Sequence, residues 1–541
     1  MQSAGGVRMK KYLKQHLLYI IGLVLILVIG TIFSIWVQFL KGDILNLALE
    51  GNFKKSVIVA GTLLMAILLE ILFMYLEYLM ENKINYLCVK TLKADLFEAT
   101  VRKDYFSFNN KSIGEYVSKF TTEVDTLKNA YLNSIFMIIM FALKIVFVTG
   151  SLVWLNWKLA IITLVLLTMP LYVPKLAEKK LLANQNEYLK TMEIFLGKLN
   201  NFLEGFELIK NYKVEKSIIQ QFKLYSNRSM NAALKNNNAS ALVRILSTFM
   251  SYFSYFVIVA FSAYLVIEKD FNAGEFFIAI NMIDQLSYPL IALSGCIQNI
   301  ISVKDLNKSV AGYYGDTLEV RGIKQKVINQ FKSKIEFKNV KFSYGENKAI
   351  LQDISLSFEK GKKYLIKGPS GTGKTTLINL LLKYYKPTDG IISIDDMDIQ
   401  EITTMYDIAT VVRQDNFLFN DTLRNNLTLY QDISDEKLLE ALEKVQLGKF
   451  ANTEGLNMVV GNGGNLFSGG ERKRICIARA LLTNKEVLIL DEPLANLDKE
   501  NIEKLEERIL DLKNYTIIMI THIISEEAEM KFDKVINLEI L

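Results

Sequence analysis

The chain has 541 residues, 51% of them hydrophobic, with a mean hydropathy of +0.21 and a formal net charge of +6. That length allows two or more domains, and the apolar excess argues against an ordinary soluble protein. Cys88, Cys296 and Cys476 are widely separated and form no C-x-x-C pair, which argues against a disulfide framework or a cysteine metal site, and the modest charge gives no reason to invoke nucleic acid.

The apolar residues concentrate before residue 310. Six long segments stand out, near residues 17–40, 57–79, 135–155, 159–172, 241–267 and 276–301. Most reach the roughly 20 residues that a membrane-spanning helix needs. The fourth is interrupted by Pro170 and closely followed by Pro174, residues that membrane helices tolerate. Six such segments in series would leave too little polar surface to cover them in water, so membrane lipid is their expected surrounding. Arg8, Lys10, Lys11 and Lys14 precede the first span and set the N-terminus in the cytoplasm. An even number of spans then returns the second half of the chain to the same side. Helical periodicity runs past the membrane limits, from Tyr78 toward Val101 and from Lys175 toward Leu208, which predicts long cytoplasmic extensions. Polar groups inside the spans are Glu70, Glu77, Lys144, Asn281, Asp284 and Gln285. Such groups tend to face a cavity or a partner, and acidic ones in a cavity would suit a cationic substrate. Residues 1–304 are therefore expected to form a transmembrane domain, 305–333 a linker and 334–541 a second domain.

The second domain opens on the alternating run Ile335-Glu-Phe-Lys-Asn-Val-Lys-Phe, a strand pattern. Its most specific feature is Gly368-Pro-Ser-Gly-Thr-Gly-Lys-Thr375 between a strand-like run and a helical one. This is a phosphate-binding loop in the context it requires. Gly368, Pro369, Ser370, Gly371, Thr372, Gly373 and Thr376 form or flank the cradle. Lys374 brings a cation to the phosphates, and the Thr375 hydroxyl can ligate Mg²⁺. The helix beginning there adds its positive dipole end. ATP and Mg²⁺ are the cofactors these residues predict.

Further motifs come in a fixed order. They are Phe342-Ser-Tyr344, Val411-Val-Arg-Gln414, Phe467-Ser-Gly-Gly-Glu471, Glu486-Val-Leu-Ile-Leu-Asp491-Glu492, Ala495-Asn-Leu-Asp498 and Thr516-Ile-Ile-Met-Ile-Thr-His522. The apolar run before Asp491 predicts a strand buried on both faces. Glu492, next along, is of the type that serves as a general base. Only two histidines occur, His16 and His522.

This ordered set, over about residues 335–541, closely resembles the ATP-binding cassette (ABC) ATPases, and the spans ahead of it resemble an ABC exporter half-transporter. The resemblance implies an α-helical membrane domain of six helices fused to an α/β P-loop ATPase domain. It implies that Tyr344 stacks on adenine, that Gln414 and Asp491 complete the Mg²⁺ shell with Thr375, and that Glu492 and His522 act in hydrolysis. Asp498 joins the nucleotide-binding set. Ser468, Gly469, Gly470 and Glu471 resemble the L-S-G-G-Q signature that caps the nucleotide of a partner subunit, so a second half-transporter is implied, as homodimer or heterodimer. Residues 104–120 and 204–215 resemble the two coupling regions. Three departures stand out: Phe467 and Glu471 in the signature, 461–466 without the usual charged pair, and Asn496 where small residues are usual. The implied activity is ATP-driven export across the cell membrane by alternating access, with a peptide, drug or lipid as substrate. The alternative is an ATP-binding regulatory or channel-like membrane protein that does not pump, against which Glu492 and His522 argue.

Overall fold

The computed structural model of the chain describes residues 7–304, 306, 328, 330–344, 350–369, 371–402, 405–414, 417–494 and 499–538. Most of the expected linker, as well as Ser370, Asn496 and Asp498, lies outside the described residues. The chain divides into two units, one of Met1–Arg102 with Lys111–Thr317, the other of Lys103–Asn110 with Leu318–Leu541.

The first unit is all helix. Its main elements in chain order are α1 (Val7–Gln15), α2 (Leu17–Leu49), α3 (Phe53–Val101), then α5 (Ile113–Ser118), α6 (Val124–Leu127), α7 (Asn133–Leu155), α8 (Trp157–Thr168), α9 (Tyr172–Glu204), α10 (Phe206–Asn211), α11 (Glu215–Ile267) and α12 (Ala273–Ser302), with α4 (Tyr105–Asn109) belonging to the second unit. Among the described residues, four helical stretches are long and apolar enough to cross a membrane: Leu17–Leu49, Phe53–Val101, Ile113–Leu155 and Glu215–Ile267. Two of the six expected spans are not among these. One falls on α8, only 12 residues long, where the 3₁₀ turn Met169–Leu171 at Pro170 separates it from α9. The other falls on α12, a 30-residue helix in which the side chains of Leu290, Ile291 and Ser294 lie outside the described residues. The helices do outrun any bilayer: α3 and α11, with 49 and 53 residues, are about 75–80 Å long at 1.5 Å per residue. Many large apolar side chains along α2 and α3 are exposed, Leu18 and Leu64 among them. That pattern fits helices whose outer face meets lipid.

Helix contacts in this unit are close where small residues allow it. A Cβ on Gly274 of α12 would lie 2.5 Å from the carbonyl oxygen of Gly42 of α2. The Gly274 N–H donates to Asn46 Oδ1 at 2.8 Å, and Asn272 with Glu275 forms a capping box that starts α12. Helices α9 and α11 are cross-linked by Lys235–Glu187 at 2.8 Å and by Asn236 Nδ2 donating to Gln185 Oε1 at 2.9 Å.

The second unit holds two sheets. Strands β1 (Lys334–Phe342), β2 (Leu351–Glu359), β4 (Asp389–Ile394) and β5 (Met397–Asp398) form an antiparallel sheet in the order β2-β1-β4-β5. Strands β3 (Lys363–Lys367), β6 (Ala409–Val412), β7 (Val487–Asp491), β8 (Thr516–Ile520) and β9 (Lys534–Asn537) form a parallel sheet in the order β6-β7-β8-β3-β9. Every residue of β7 and β8 is buried, as strands covered on both faces must be. Two apolar clusters supply the core, one around Phe337, Phe358 and Leu377, the other around Leu438, Leu456 and Ile475.

Candidate functional site

A parallel sheet brings the carboxyl ends of its strands to one edge, where ligands of open α/β sheets bind. Ile366 of β3 lies opposite Ile520 of β8, and Ile520 lies opposite Asp491 of β7. The phosphate loop after β3, the Asp491–Glu492 pair after β7 and His522 after β8 therefore share that edge. β6 adds Arg413 and Gln414, because Val412 pairs with Leu490.

The loop is shaped by its glycines. Gly368, Gly371 and Gly373 have φ of 149°, 90° and 92°, values that favour glycine. A Cβ on Gly373 would also lie 2.6 Å from Leu351. Gly373 caps helix α13 (Lys374–Leu381). Lys374 Nζ donates to the carbonyl oxygens of Gly368 and Pro369, at 2.6 and 2.7 Å. Burial holds its ammonium below the ordinary lysine range, with Glu492 and Asp491 countering. Thr375 is exposed at the helix start, whereas Thr376 is buried.

Asp491 is 5% exposed. Burial raises its carboxyl above the usual carboxylate range, opposed by Arg413, whose Nη1 lies 3.8 Å away. Arg413 also donates to Asn379 Oδ1 at 2.7 Å and lies over the Tyr384 ring. Glu492 has φ of 51° and donates its N–H to the Ile520 carbonyl at 2.8 Å. The left-handed turn swings its side chain off the strand direction. Its Oε1 lies 3.5 Å from His522 Nε2. Its carbonyl oxygen accepts from Lys473 Nζ at 2.5 Å. At that separation the imidazole flanks the carboxylate without a hydrogen bond between them.

The Thr375 hydroxyl and the Asp491 carboxylate are hard oxygen donors of the kind Mg²⁺ takes, with phosphate and water oxygens completing its shell. Among the described residues no cluster of three His, Cys, Asp or Glu could hold a metal alone. That donor set fits an ion bound together with a nucleotide. Tyr344 is half-buried, edge-on to Phe342 and Tyr385, with its hydroxyl 3.4 Å from Thr376 Oγ1. Gln414 is exposed at the end of β6.

The signature segment starts a helix of its own, running Gly469–Leu482. Ser468 Oγ accepts from the Glu471 N–H at 3.2 Å, and Glu471 Oε2 accepts from the Ser468 N–H at 2.8 Å, a capping box. Glu471 Oε1 also meets Lys449 Nζ at 2.5 Å. Burial works to raise the Glu471 carboxyl, but hydrogen bonds from Lys449 and Ser468 hold it below the usual range. Phe467 is buried against Phe450, ring centroids 5.1 Å apart. Both departures from the signature thus have structural partners.

Four residues to which the sequence reading gave no role join this site. Arg413 and Lys473 hold Asp491 and the Glu492 backbone. Tyr384 and Tyr385 connect it to α4: Tyr105 stacks on Tyr384 at 3.7 Å, and Phe106 meets Tyr385 edge-on at 5.8 Å. A cationic residue beside a motif glutamine and an aromatic pair after the phosphate-loop helix were the available signals. Of the polar groups in the spans, Glu77 lies within electrostatic reach of Lys144, Asp284 is exposed, and the Gln285 carbonyl oxygen is buried without a hydrogen-bond partner.

A phosphate loop, an acidic pair and a signature helix on one α/β unit, joined to a helical membrane unit, define a nucleotide-driven membrane protein. Residues 17–290, just over half the chain, match the family described as the ABC transporter transmembrane region, and residues 351–495 match the family described as ABC transporter. The chain belongs to the ABC transporter family and is an ATP hydrolase coupled to transport. It is 29% identical over 94% of its length to an ATP-dependent lipid A-core flippase of Pseudomonas fluorescens, covering 89% of that protein. It is 27% identical over 83% of its length to a putative multidrug export ATP-binding/permease protein of Bacillus subtilis, covering 78% of it. In fold it is similar to a bacterial Atm1-family ABC exporter with ATP bound, with a TM-score of 0.77 and 20% identity over 97% of this chain and 93% of that one.

Proposed function

We propose that the chain is one half of an exporter that uses ATP to move an amphiphilic substrate out of the cytoplasm by alternating access. The observation that carries the reading is the convergence of Lys374, Asp491, Glu492 and His522 at one sheet edge, beneath a phosphate loop. Residues 1–304 would hold six spans, 305–333 the linker and 334–541 the ATPase, with the N-terminus and ATPase in the cytoplasm of a multi-pass cell-membrane protein. The activities for which these relatives are named, lipid flipping and multidrug export, favour a lipid or drug over a peptide.

In the proposed mechanism Lys374 and the loop N–H groups bind the phosphates, while Tyr344 packs on the base. Thr375, Gln414 and Asp491 would hold Mg²⁺, which supplies charge neutralisation on the phosphate oxygens. Arg413 keeps the Asp491 carboxylate ionised and aimed. Glu492 takes the proton of the attacking water, and His522 orients Glu492 and contacts the terminal phosphate. Ser468, Gly469 and Gly470 complete the site of a partner subunit. Glu471 holds that loop in shape.

The test is Glu492→Gln in the full chain. ATP binding should persist while turnover falls by roughly 10²-fold or more, the usual worth of a positioned base. Undiminished turnover would remove Glu492 from this role. Uptake into inverted vesicles with hydrolysable against non-hydrolysable ATP separates pumping from regulation.

A further inference from the structure

A cavity of about 590 Å³ lies between α9 and α11 in the membrane unit. Lys180 and Asn184 line it from α9, one helical turn apart; Asn231, Lys235 and Asn238 line it from α11. With Leu234, Ala239 and Leu242, the α11 residues recur at three- and four-residue intervals, so they form one stripe. Asn184 is 7% exposed, and its amide has no hydrogen bond among the described residues. That amide is not sealed from the cavity, so water or a ligand there supplies its partner. Lys180 likewise has no carboxylate partner among the described residues, whereas Lys235 shares its charge with Glu187.

The electrostatic setting is basic on α11 and mixed on α9, which carries Glu178, Glu187, Glu193 and Glu204 against Lys175, Lys179, Lys180, Lys190 and Lys198. α11 carries a single acidic residue, Glu215, against Lys216, Lys223, Arg228, Lys235 and Arg244. The position along the helices is also specific. Asn238 and Lys235 precede the apolar run that begins at residue 241 by about 5–9 Å of helix rise. That is the depth of the headgroup layer outside the hydrocarbon. Leu234, Ala239 and Leu242 give it an apolar lining along α11.

We propose that this cavity binds an anionic headgroup, with phosphate or carboxylate oxygens, at the cytoplasmic face of the membrane. Lys180 and Lys235 supply charge, the amides of Asn184, Asn231 and Asn238 supply hydrogen bonds, and the apolar lining of Leu234, Ala239 and Leu242 admits the start of an acyl chain. An anionic amphiphile is the ligand class this face selects, at residues other than Glu70, Glu77 and Asp284, on which the expectation of a cationic substrate rests. The step from a bound headgroup to an exported one rests on the transport reading above; binding itself rests only on the membrane placement of α9 and α11.

Native mass spectrometry of the full chain, purified from nanodiscs of phosphatidylcholine containing a minor fraction of phosphatidylglycerol, counts retained anionic lipid. Wild type and Lys180→Arg should retain phosphatidylglycerol over phosphatidylcholine. Lys180→Glu and Asn184→Leu should each lower that retention at least fivefold. Equal retention in all four proteins overturns the site. Inorganic phosphate forms a second arm. Competition by millimolar phosphate identifies a free anion as sufficient, and lack of competition identifies the lipid headgroup; either supports the anion chemistry. Modification of Asn231→Cys by a membrane-impermeant maleimide tests access, and protection in phosphatidylcholine alone would mean that a second copy fills the cavity, which also overturns it. None of these readouts depends on hydrolysis, so absence of ATP-dependent uptake into inverted vesicles would sink the transport reading and leave this one standing.

Discussion

Glu471 occupies the position at which the signature carries glutamine. A glutamine could keep the bond to the Ser468 N–H, since its carbonyl accepts equally well. It could not keep the ion pair with Lys449. The carboxyl is held below its usual range, so the stabilisation it contributes is fully present above the ordinary carboxylate pKa and is lost as pH falls through the depressed value. Glu471→Gln should therefore loosen the first turn of the signature helix at neutral pH by up to about 1 kcal/mol, the upper range for a pair with one exposed partner. Hydrogen exchange at those amides should rise up to about fivefold at pH 7, and the difference should begin to shrink below the ordinary carboxylate pKa of about 4.3 and vanish only below the depressed one; a difference that persists through both would assign the effect to packing. Lys374, Thr375, Asp491, Glu492 and His522 were legible at this scale because each belongs to a short contiguous motif. Arg413 and Lys473 were not, because their partners are fixed by strand register and by a contact between distant chain segments.

α4 shows what a single short element contributes. Asp104 caps it by accepting from the Ser107 N–H at 2.8 Å, and no residue in it is buried. What anchors it is the pair of ring contacts, Tyr105 on Tyr384 and Phe106 on Tyr385. Tyr384 also lies under Arg413, the partner of Asp491, while Tyr385 touches Tyr344. Asp491 and Tyr344, proposed for the metal and the base of the nucleotide, thus reach α4 through different tyrosines. Tyr105→Ala and Tyr384→Ala should each reduce substrate moved per ATP hydrolysed, and the double variant should cost no more than either alone. An aromatic pair of this kind couples by about 0.5–1.5 kcal/mol. Additive losses in the cycle would mean that the stack transmits nothing. The sequence pointed to this region by resemblance, but the choice of tyrosines depended on the turn after α13, where Lys383 adopts a positive φ of 61° and redirects the chain. The ends of the long helices were equally hidden. Apolar windows locate bilayer contact, and the helices continue past it on amphipathic pattern, while the stretch near Pro170 breaks into a helix too short to be read as a span by itself.

At the scale of the whole molecule, the question is whether two chains share each site. The signature helix and the phosphate loop are both complete in this chain, yet the proposed capping by Ser468 acts on a partner's nucleotide. That arrangement makes a specific prediction for mixed populations. Lys374→Ala removes phosphate binding and leaves the signature intact; Ser468→Arg does the reverse. Each homogeneous variant should be inactive. In a mixed dimer one site pairs the intact loop of the Ser468→Arg chain with the intact signature of the Lys374→Ala chain, and the other site carries both lesions. Random pairing makes half the dimers mixed, so co-expression should restore up to about a quarter of wild-type ATP turnover if a single site can fire. Tagging the two chains differently and purifying through both tags should raise that fraction toward about a half, because only mixed dimers survive. Recovery of activity identifies the partner as a second copy of this chain. Persistent inactivity of a doubly purified, nucleotide-binding mixed dimer would show that one complete site is not enough, and failure to isolate any mixed species would identify the partner as a different chain.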